Sequence, residues 1–382
     1  MTKTLFKKTA LAAILGSALL AMGSTAVASL PQNTTAIEIP AQHIPLVQEW
    51  DKTFPKSDKV EHRKITFKNR YGITLAADLY VPKNAKGKLP AIAVSGPFGA
   101  VKEQSSGLYA QTLAERGFVT LAFDGSYTGE SGGEPRNIAS PEIATEDFSA
   151  AVDFLGTQDF VNRDAIGILG ICGWGGFALN AAVADTRVKA VAVSTMYDMT
   201  KVMANGYEID LTPNAQGIYD RKPALDMEGR YQMKQGLNFQ RWRDAETGNT
   251  AYTEKKDHLP AQNEQTVDTP KMVKEYADYY KTARGYHPRS VNSNGGWSKT
   301  TPLAFINMPI LQRAGELKSA ALVVHGEKAH SRYFGEEAFQ SLGSKNKELY
   351  IVPNATHVDL YDNQAGKIPY DKFEAFFKAN LK

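Results

Sequence analysis

The strongest constraint on this chain is the run Ile166-Gly-Ile-Leu-Gly-Ile-Cys172-Gly-Trp-Gly-Gly176, where an apolar stretch ends on the only cysteine and small residues follow at once. A continuous apolar run of this length suits a strand covered on both faces. Gly170, Gly173, Gly175 and Gly176 remove the side chains that would obstruct an abrupt turn and the close approach of a helix to that strand. The spacing therefore predicts strand, sharp turn and helix, with Cys172 displayed at the apex.

The amino terminus bears on how that cysteine is read. Residues 1–28 carry a basic start (Lys3, Lys7, Lys8), an apolar stretch from Ala10 to Met22 and the small-residue end Ala26-Val27-Ala28, the pattern of a cleaved export signal and not of a membrane span. Cleavage near Ala28/Ser29 predicts a periplasmic or secreted protein. Cys172 is then a lone thiol in an oxidising compartment, with no internal partner for a disulfide. The alternative is a buried apolar cysteine of the ordinary kind. Removing the three signal lysines from 44 basic residues leaves 41 against 41 acidic ones. A balance near zero gives no reason to expect nucleic acid or an anionic membrane as a partner.

Downstream of the signal and an extension over 29–59, the segment from Val60 to Pro82 alternates and turns at Asn69-Arg70-Tyr71-Gly72, predicting an antiparallel hairpin at a sheet edge. Apolar runs then recur at Ala91–Val94, Phe118–Phe123, Ala165–Leu169, Val188–Val193 and Ala320–Val324, separated by helix-length segments. That is the pattern of a mostly parallel, doubly wound α/β sheet. Helices are expected over Ser140–Leu155, with Ser140 as cap and Pro141 in the first turn, over Phe177–Ala184, and over Tyr370–Leu381. Residues 199–301 break the alternation: they are polar and rich in aromatics, with a helical pattern from Pro270 to Arg284. They read as an insertion, or lid, between core segments 60–198 and 302–382.

Several stretches carry a resemblance. The elbow Gly170-Ile-Cys-Gly-Trp-Gly-Gly176, Gly96-Pro97-Phe98-Gly99 after the first core strand, Phe123-Asp124-Gly125-Ser126-Tyr127 after the second, Arg284-Gly285-Tyr286-His287-Pro288, Gly326-Glu327-Lys328-Ala329-His330 and Asn354-Ala355-Thr356-His357 resemble the dienelactone-hydrolase-like bacterial branch of the α/β-hydrolases. The resemblance implies the α/β-hydrolase fold, with the cysteine on its nucleophile elbow.

A cysteine nucleophile needs a base, a group that orients the base, and donors for the oxyanion. His357 follows the strand-like run Leu349–Val352 and lies about one helix before the end, in the chain order nucleophile, acid, histidine; His330 is its rival. The position where the family places its aspartate is Ala329 here. Glu327, of the same strand parity, is the expected acid, Asp198 the alternative, and Asp359, Asp362 or no acid the remaining options. The Gly173 amide is one expected oxyanion donor and the Phe98 amide the second, with Gly99 in reserve because Pro97 has no N–H. Trp174 is expected to line the acyl pocket, with core packing as its alternative. Gly125-Ser126-Tyr127-Thr128-Gly129 imitates a serine elbow, but the following Glu130-Ser-Gly-Gly-Glu-Pro135 cannot start the helix such an elbow needs. Seven scattered histidines and one cysteine show no metal-ligand spacing, and no cofactor motif is present.

These readings converge on a cofactor-free, exported hydrolase of a small ester, lactone or thioester, working through a cysteinyl acyl-enzyme. A non-catalytic binding protein that lost its acid, or a peptidase, is the alternative. The sequence leaves the oligomeric state open.

Overall fold

The computed structural model describes residues 45–83, 86–254 and 259–382, so the expected signal lies outside the described residues. Among them, eight strands form one sheet in the order β1-β2-β4-β3-β5-β6-β7-β8. Strands β1 (Val60–Lys68) and β2 (Thr74–Pro82) form the antiparallel hairpin, and β2 also runs antiparallel to β4 (Val119–Phe123). From β4 onward every pairing is parallel, through β3 (Leu89–Ser95), β5 (Val161–Ile171), β6 (Val188–Ser194), β7 (Ala320–Gly326) and β8 (Lys347–Val352). This is the α/β-hydrolase fold.

Helices α1 (Ser105–Glu115), α2 (Pro141–Gly156) and α3 (Gly173–Ala184) cross between the strands. Pro141 opens α2 as expected, but the Ser140 hydroxyl makes no capping bond. The insertion contributes α4 (Met199–Asn205), α5 (Met227–Thr247), α6 (Lys271–Tyr280) and α7 (Val291–Asn294), before α8 (Arg332–Ser341) and α9 (Tyr370–Asn380) complete the core. Apolar side chains bury both sheet faces. Tyr109, Leu113, Phe373 and Phe377 belong to one cluster, and Phe123, Phe148, Trp174 and Phe177 to the other.

Parallel strands in register end together, and this collects the loops at one edge. Ser95 pairs with Gly170, Gly170 with Val193, and Val193 with Val323, so the chain leaves β3, β5, β6 and β7 on the same side. An ionic cluster buried beneath this edge fixes the β3–α1 loop. Lys102 Nζ lies 2.7 Å from Glu103, 2.9 Å from Asp124 and 2.5 Å from Glu130. Lys64 in β1 joins the same two glutamates. From the insertion, Arg289 reaches Asp51 at 2.7 Å and Glu103 at 2.9 Å. Burial opposes the Lys102 charge, yet the carboxylates around it, Asp124 and Glu103 first, hold its pKa well above the ordinary lysine value.

Removing one member of a desolvated charge cluster leaves its partners buried and uncompensated. Lys102→Met is therefore expected to lower the unfolding free energy by about 3–5 kcal/mol. Guanidinium titration followed by circular dichroism measures this; a loss below about 1 kcal/mol, the value of a surface ion pair, would contradict a structural role for the cluster.

Candidate active site

The turn after β5 has the geometry that the small residues anticipate. Cys172 sits at φ 55°, ψ −127° and serves as the N-cap of α3, and its own amide donates to Ser194 O at 3.0 Å. A β-carbon at Gly170 would come within 2.3 Å of Trp174 O, and one at Gly173 within 2.6 Å of Phe98 Cβ. No larger residue fits at either position, because strand, helix and β3 loop converge there.

Two backbone amides, those of Gly173 and Phe98, act on the Cys172 sulfur, each favouring its thiolate. They converge from the first turn of α3 and from the loop after β3, and the helix dipole adds positive potential at the same point. Two amides aimed at one sulfur can also hold the oxygen of a carbonyl attacked by that sulfur. Burial pushes the Cys172 thiol up to about 11, against the opposing effect of Tyr361 and the two amides. The resting group is a protonated thiol.

His357 follows β8 and is fully buried. Its Nδ1 lies 2.9 Å from Thr195 Oγ1 and 2.5 Å from Ser331 Oγ, and its Nε2 lies 2.9 Å from Tyr361 Oη. Among the described residues no carboxylate joins this set, and both expected acids are engaged elsewhere. Glu327 accepts the Asn354 amide at 2.8 Å. Asp198 caps α4, accepting Thr200 N at 2.9 Å and Lys201 N at 3.0 Å. Asp359 accepts the Thr356 amide and pairs with Lys367, while Asp362 pairs with Arg284. The parity argument for Glu327 fails because the chain turns immediately after β7, where Glu327 N donates to Val352 O and Lys328 N to Ala355 O. The hydroxyls of Ser331, two residues past Ala329, and Thr195, one past β6, stand in the acid's place.

Desolvation lowers the His357 pKa well below its ordinary value, and His330 and His325 lower it further. His330 stacks beside His357 at a centroid distance of 4.9 Å, with its Nε2 on the hydroxyls of Tyr197 and Tyr276. Burial lowers it to about 3, so it stays neutral. It is thus a packed neighbour and makes no bond to Cys172. Ser126, at the imitation elbow, is held by Asp147 Oδ1 at 2.8 Å and Asn69 Nδ2 at 3.1 Å.

Cys172 opens into a cavity of about 380 Å3 whose walls are largely apolar and come mainly from the insertion, among them Met199, Val202, Tyr207, Tyr276 and Trp297. Trp297 stacks on Phe98 at 4.6 Å and 12°. Trp174 does not line this cavity. Its ring packs edge-on against Phe123, Phe148 and Phe177 in the core, because the α3 turn directs it away from Cys172 and Gly125 leaves the room it fills. Sequence reasoning also passed over Tyr361, Thr195 and Ser331. For Tyr361 a signal was present, since it lies four residues after His357, the spacing of one helical turn.

A family model for the X-Pro dipeptidyl-peptidases (S15 family) matches residues 71–359. The chain is 55% identical over 374 residues to the uncharacterized protein PA2218 of Pseudomonas aeruginosa, covering 97% of this chain and 94% of that one. The crystal structure of that protein superposes with a TM-score of 0.81 at 57% identity, over 89% of this chain and 100% of the other. Over 135 residues, 35% of this chain and 42% of its own length, the thiohydrolase aneE of Aspergillus aculeatus is 33% identical. The α/β-hydrolase GrgF of Penicillium sp. sh18 shares the fold at 20% identity, with a TM-score of 0.64 over 84% of this chain and 99% of that one.

The ionisation of the site has two measurable consequences. A thiol near 11 should react with iodoacetamide at pH 7 roughly 100-fold more slowly than a free cysteine, and the rate should rise about tenfold per pH unit toward 11. The depressed pKa keeps the His357 imidazole neutral, so any reaction that uses it as a base should be lost only as pH falls well below 6.5. Rapid alkylation at neutral pH, or an acid limb at 6.5 or above, would contradict this electrostatic picture.

Proposed function

Within the X-Pro dipeptidyl-peptidase (S15) family, to which this chain belongs, we propose that it is a cysteine-dependent acyl hydrolase whose substrates are thioesters and activated esters with a small apolar acyl group. The observation that carries this reading is Cys172 at a strained turn in the wall of an apolar cavity, where the Gly173 and Phe98 amides both favour its thiolate. Cys172 attacks the carbonyl, His357 removes the thiol proton, the Gly173 and Phe98 amides hold the oxyanion, and water then releases the acid from the acyl-enzyme.

The choice of thioester over peptide rests on His357. An amine must be protonated as it leaves, and the imidazolium that delivers the proton is normally supported by a carboxylate, worth up to about 10⁴ in rate. Here hydroxyls occupy that position. A thiolate or aryl oxide departs without a proton, so a poorly supported imidazolium limits its release less. The partial match to a thiohydrolase and the resemblance to dienelactone hydrolases support acyl chemistry of this kind. The export-signal pattern of residues 1–28 supports a periplasmic or secreted location as part of this reading. No cofactor enters the proposal.

Purified protein should hydrolyse an acyl thioester and a p-nitrophenyl ester with kcat/KM at least about 100-fold above that for an X-Pro arylamide. Cys172→Ala should abolish both reactions, and Cys172→Ser should lose roughly 100-fold or more, since a hydroxyl depends more heavily on its base than a thiol does. Hydrolysis that persists in Cys172→Ala removes the proposed nucleophile, and an arylamide cleaved as fast as the thioester makes the protein a peptidase.

Narrowing the cavity should shift acyl preference. Val202→Trp is expected to reduce the ratio of kcat/KM for octanoyl over acetyl esters by about tenfold, with the rate of Cys172 alkylation within a few-fold of wild type. An unchanged ratio would remove the insertion as the element that sets acyl length.

A further inference from the structure

His357 Nε2 is engaged by the hydroxyl of Tyr361, at 2.9 Å, and not by the Cys172 sulfur. Tyr361 lines the same cavity as Cys172 and acts on the ionisation of its thiol. We propose that Tyr361 is a catalytic residue of this site, the relay through which the Cys172 proton reaches His357. The inference rests on the reading of Cys172 as nucleophile and adds a step to it.

The local chain makes the arrangement. His357 and Tyr361 flank a single 3-10 turn over Val358–Leu360, and this places both side chains on one side of the backbone. Tyr361 is 1% exposed, and its ring is fenced by Tyr279 at 5.2 Å, Tyr280 at 6.0 Å and Tyr276 at 6.3 Å. All three fencing tyrosines come from α6 of the insertion. With His357 and Tyr361 both buried, bulk water does not substitute for the hydroxyl at Nε2.

Proton placement follows from the hydrogen-bond partners. Neutral His357 carries its proton on Nδ1, where the oxygens of Thr195 and Ser331 can accept it, and its Nε2 lone pair accepts from the Tyr361 hydroxyl. The Tyr361 oxygen in turn accepts the thiol proton. As the sulfur attacks, the S–H bond breaks and an O–H bond forms on Tyr361, while the original Tyr361 O–H bond breaks and an N–H bond forms on His357. Tyr361 begins and ends neutral, the sulfur's electron pair forms the bond to the acyl carbon, and His357 becomes the imidazolium. The thiolate or aryl oxide departs as an anion and then takes up the imidazolium proton, which returns His357 to its neutral form; the Tyr361 oxygen, having lost its thiol donor, is then open to a water proton, so the same relay serves deacylation.

The test compares full-length wild type, Tyr361→Phe and Cys172→Ala on a p-nitrophenyl ester. Tyr361→Phe keeps the ring and its packing, so a thermal melt close to wild type is expected. Its kcat should fall about 100- to 1000-fold, the usual scale of a lost proton-transfer partner, with KM within about threefold. In mixtures of light and heavy water, the wild-type rate of acylation should follow a bowed dependence on deuterium fraction, the signature of two protons in motion, and the residual Tyr361→Phe rate a straight line. A Tyr361→Phe rate within about threefold of wild type, or a straight line for the wild type, overturns the relay. The second criterion uses no variant and stands even if Tyr361→Phe folds poorly. Activity retained in Cys172→Ala overturns the nucleophile and the relay together, whereas an inactive Cys172→Ala beside an active Tyr361→Phe overturns the relay alone.

Discussion

The site depends on one backbone residue held where side chains rarely go. Cys172 at φ 55° lies in a region that costs a non-glycine residue on the order of 1–3 kcal/mol, and the surrounding structure sets that conformation. The amide of Cys172 is fixed to Ser194 O and its carbonyl accepts from Gly175 and Tyr197. Because the turn is locked from both sides, the sulfur cannot withdraw from the two amides that face it. The β3 loop supplying one of those amides is itself tied to the buried Lys102 cluster. Fold stability and oxyanion geometry are therefore linked through the same segment, Gly96 to Glu103.

The electrostatics of the site follow from dryness. Thiol, imidazole and tyrosine hydroxyl are all removed from water, and each is shifted toward its neutral form: the thiol and hydroxyl upward, the imidazole downward. A carboxylate beside His357 would store a thiolate–imidazolium pair. Hydroxyl groups from Thr195 and Ser331 orient the ring without supplying a charge. In the proposed mechanism the charge separation is made during attack, which suits reactive acyl groups, and a thiol kept protonated resists oxidation, since the thiolate is the form that oxidises. Thr195 is itself at φ 45°, unusual for a β-branched residue, so the backbone around the histidine is strained as well.

Legibility from the sequence divided along local and non-local lines. The strands were readable because a doubly covered parallel sheet imposes continuous apolar runs, and the elbow because close backbone approach demands glycine. The helices over Pro141–Gly156 and Tyr370–Asn380 followed from their proline and apolar spacing. The acid was misplaced because strand parity was extended past Gly326, where β7 has already ended. Trp174 was assigned by adjacency to Cys172, yet consecutive residues of a helix point in different directions. The Thr195 and Ser331 hydroxyls come from two separate loops, and their meeting at one imidazole is a property of the closed sheet edge, with no trace in either stretch alone. The long helix Met227–Thr247 was not anticipated; it has no buried residue and so lacks the apolar stripe by which helices are usually recognised.

The central claim is that Cys172 carries the acyl group. Rapid-quench mixing of the enzyme with an acyl thioester, followed by intact-protein mass spectrometry and peptide mapping, measures this directly. The account predicts a transient mass increase equal to one acyl group, located on the peptide containing Cys172 and removed by hydroxylamine at neutral pH. An acyl group on any other residue, or turnover with no covalent species at the shortest times, would contradict it.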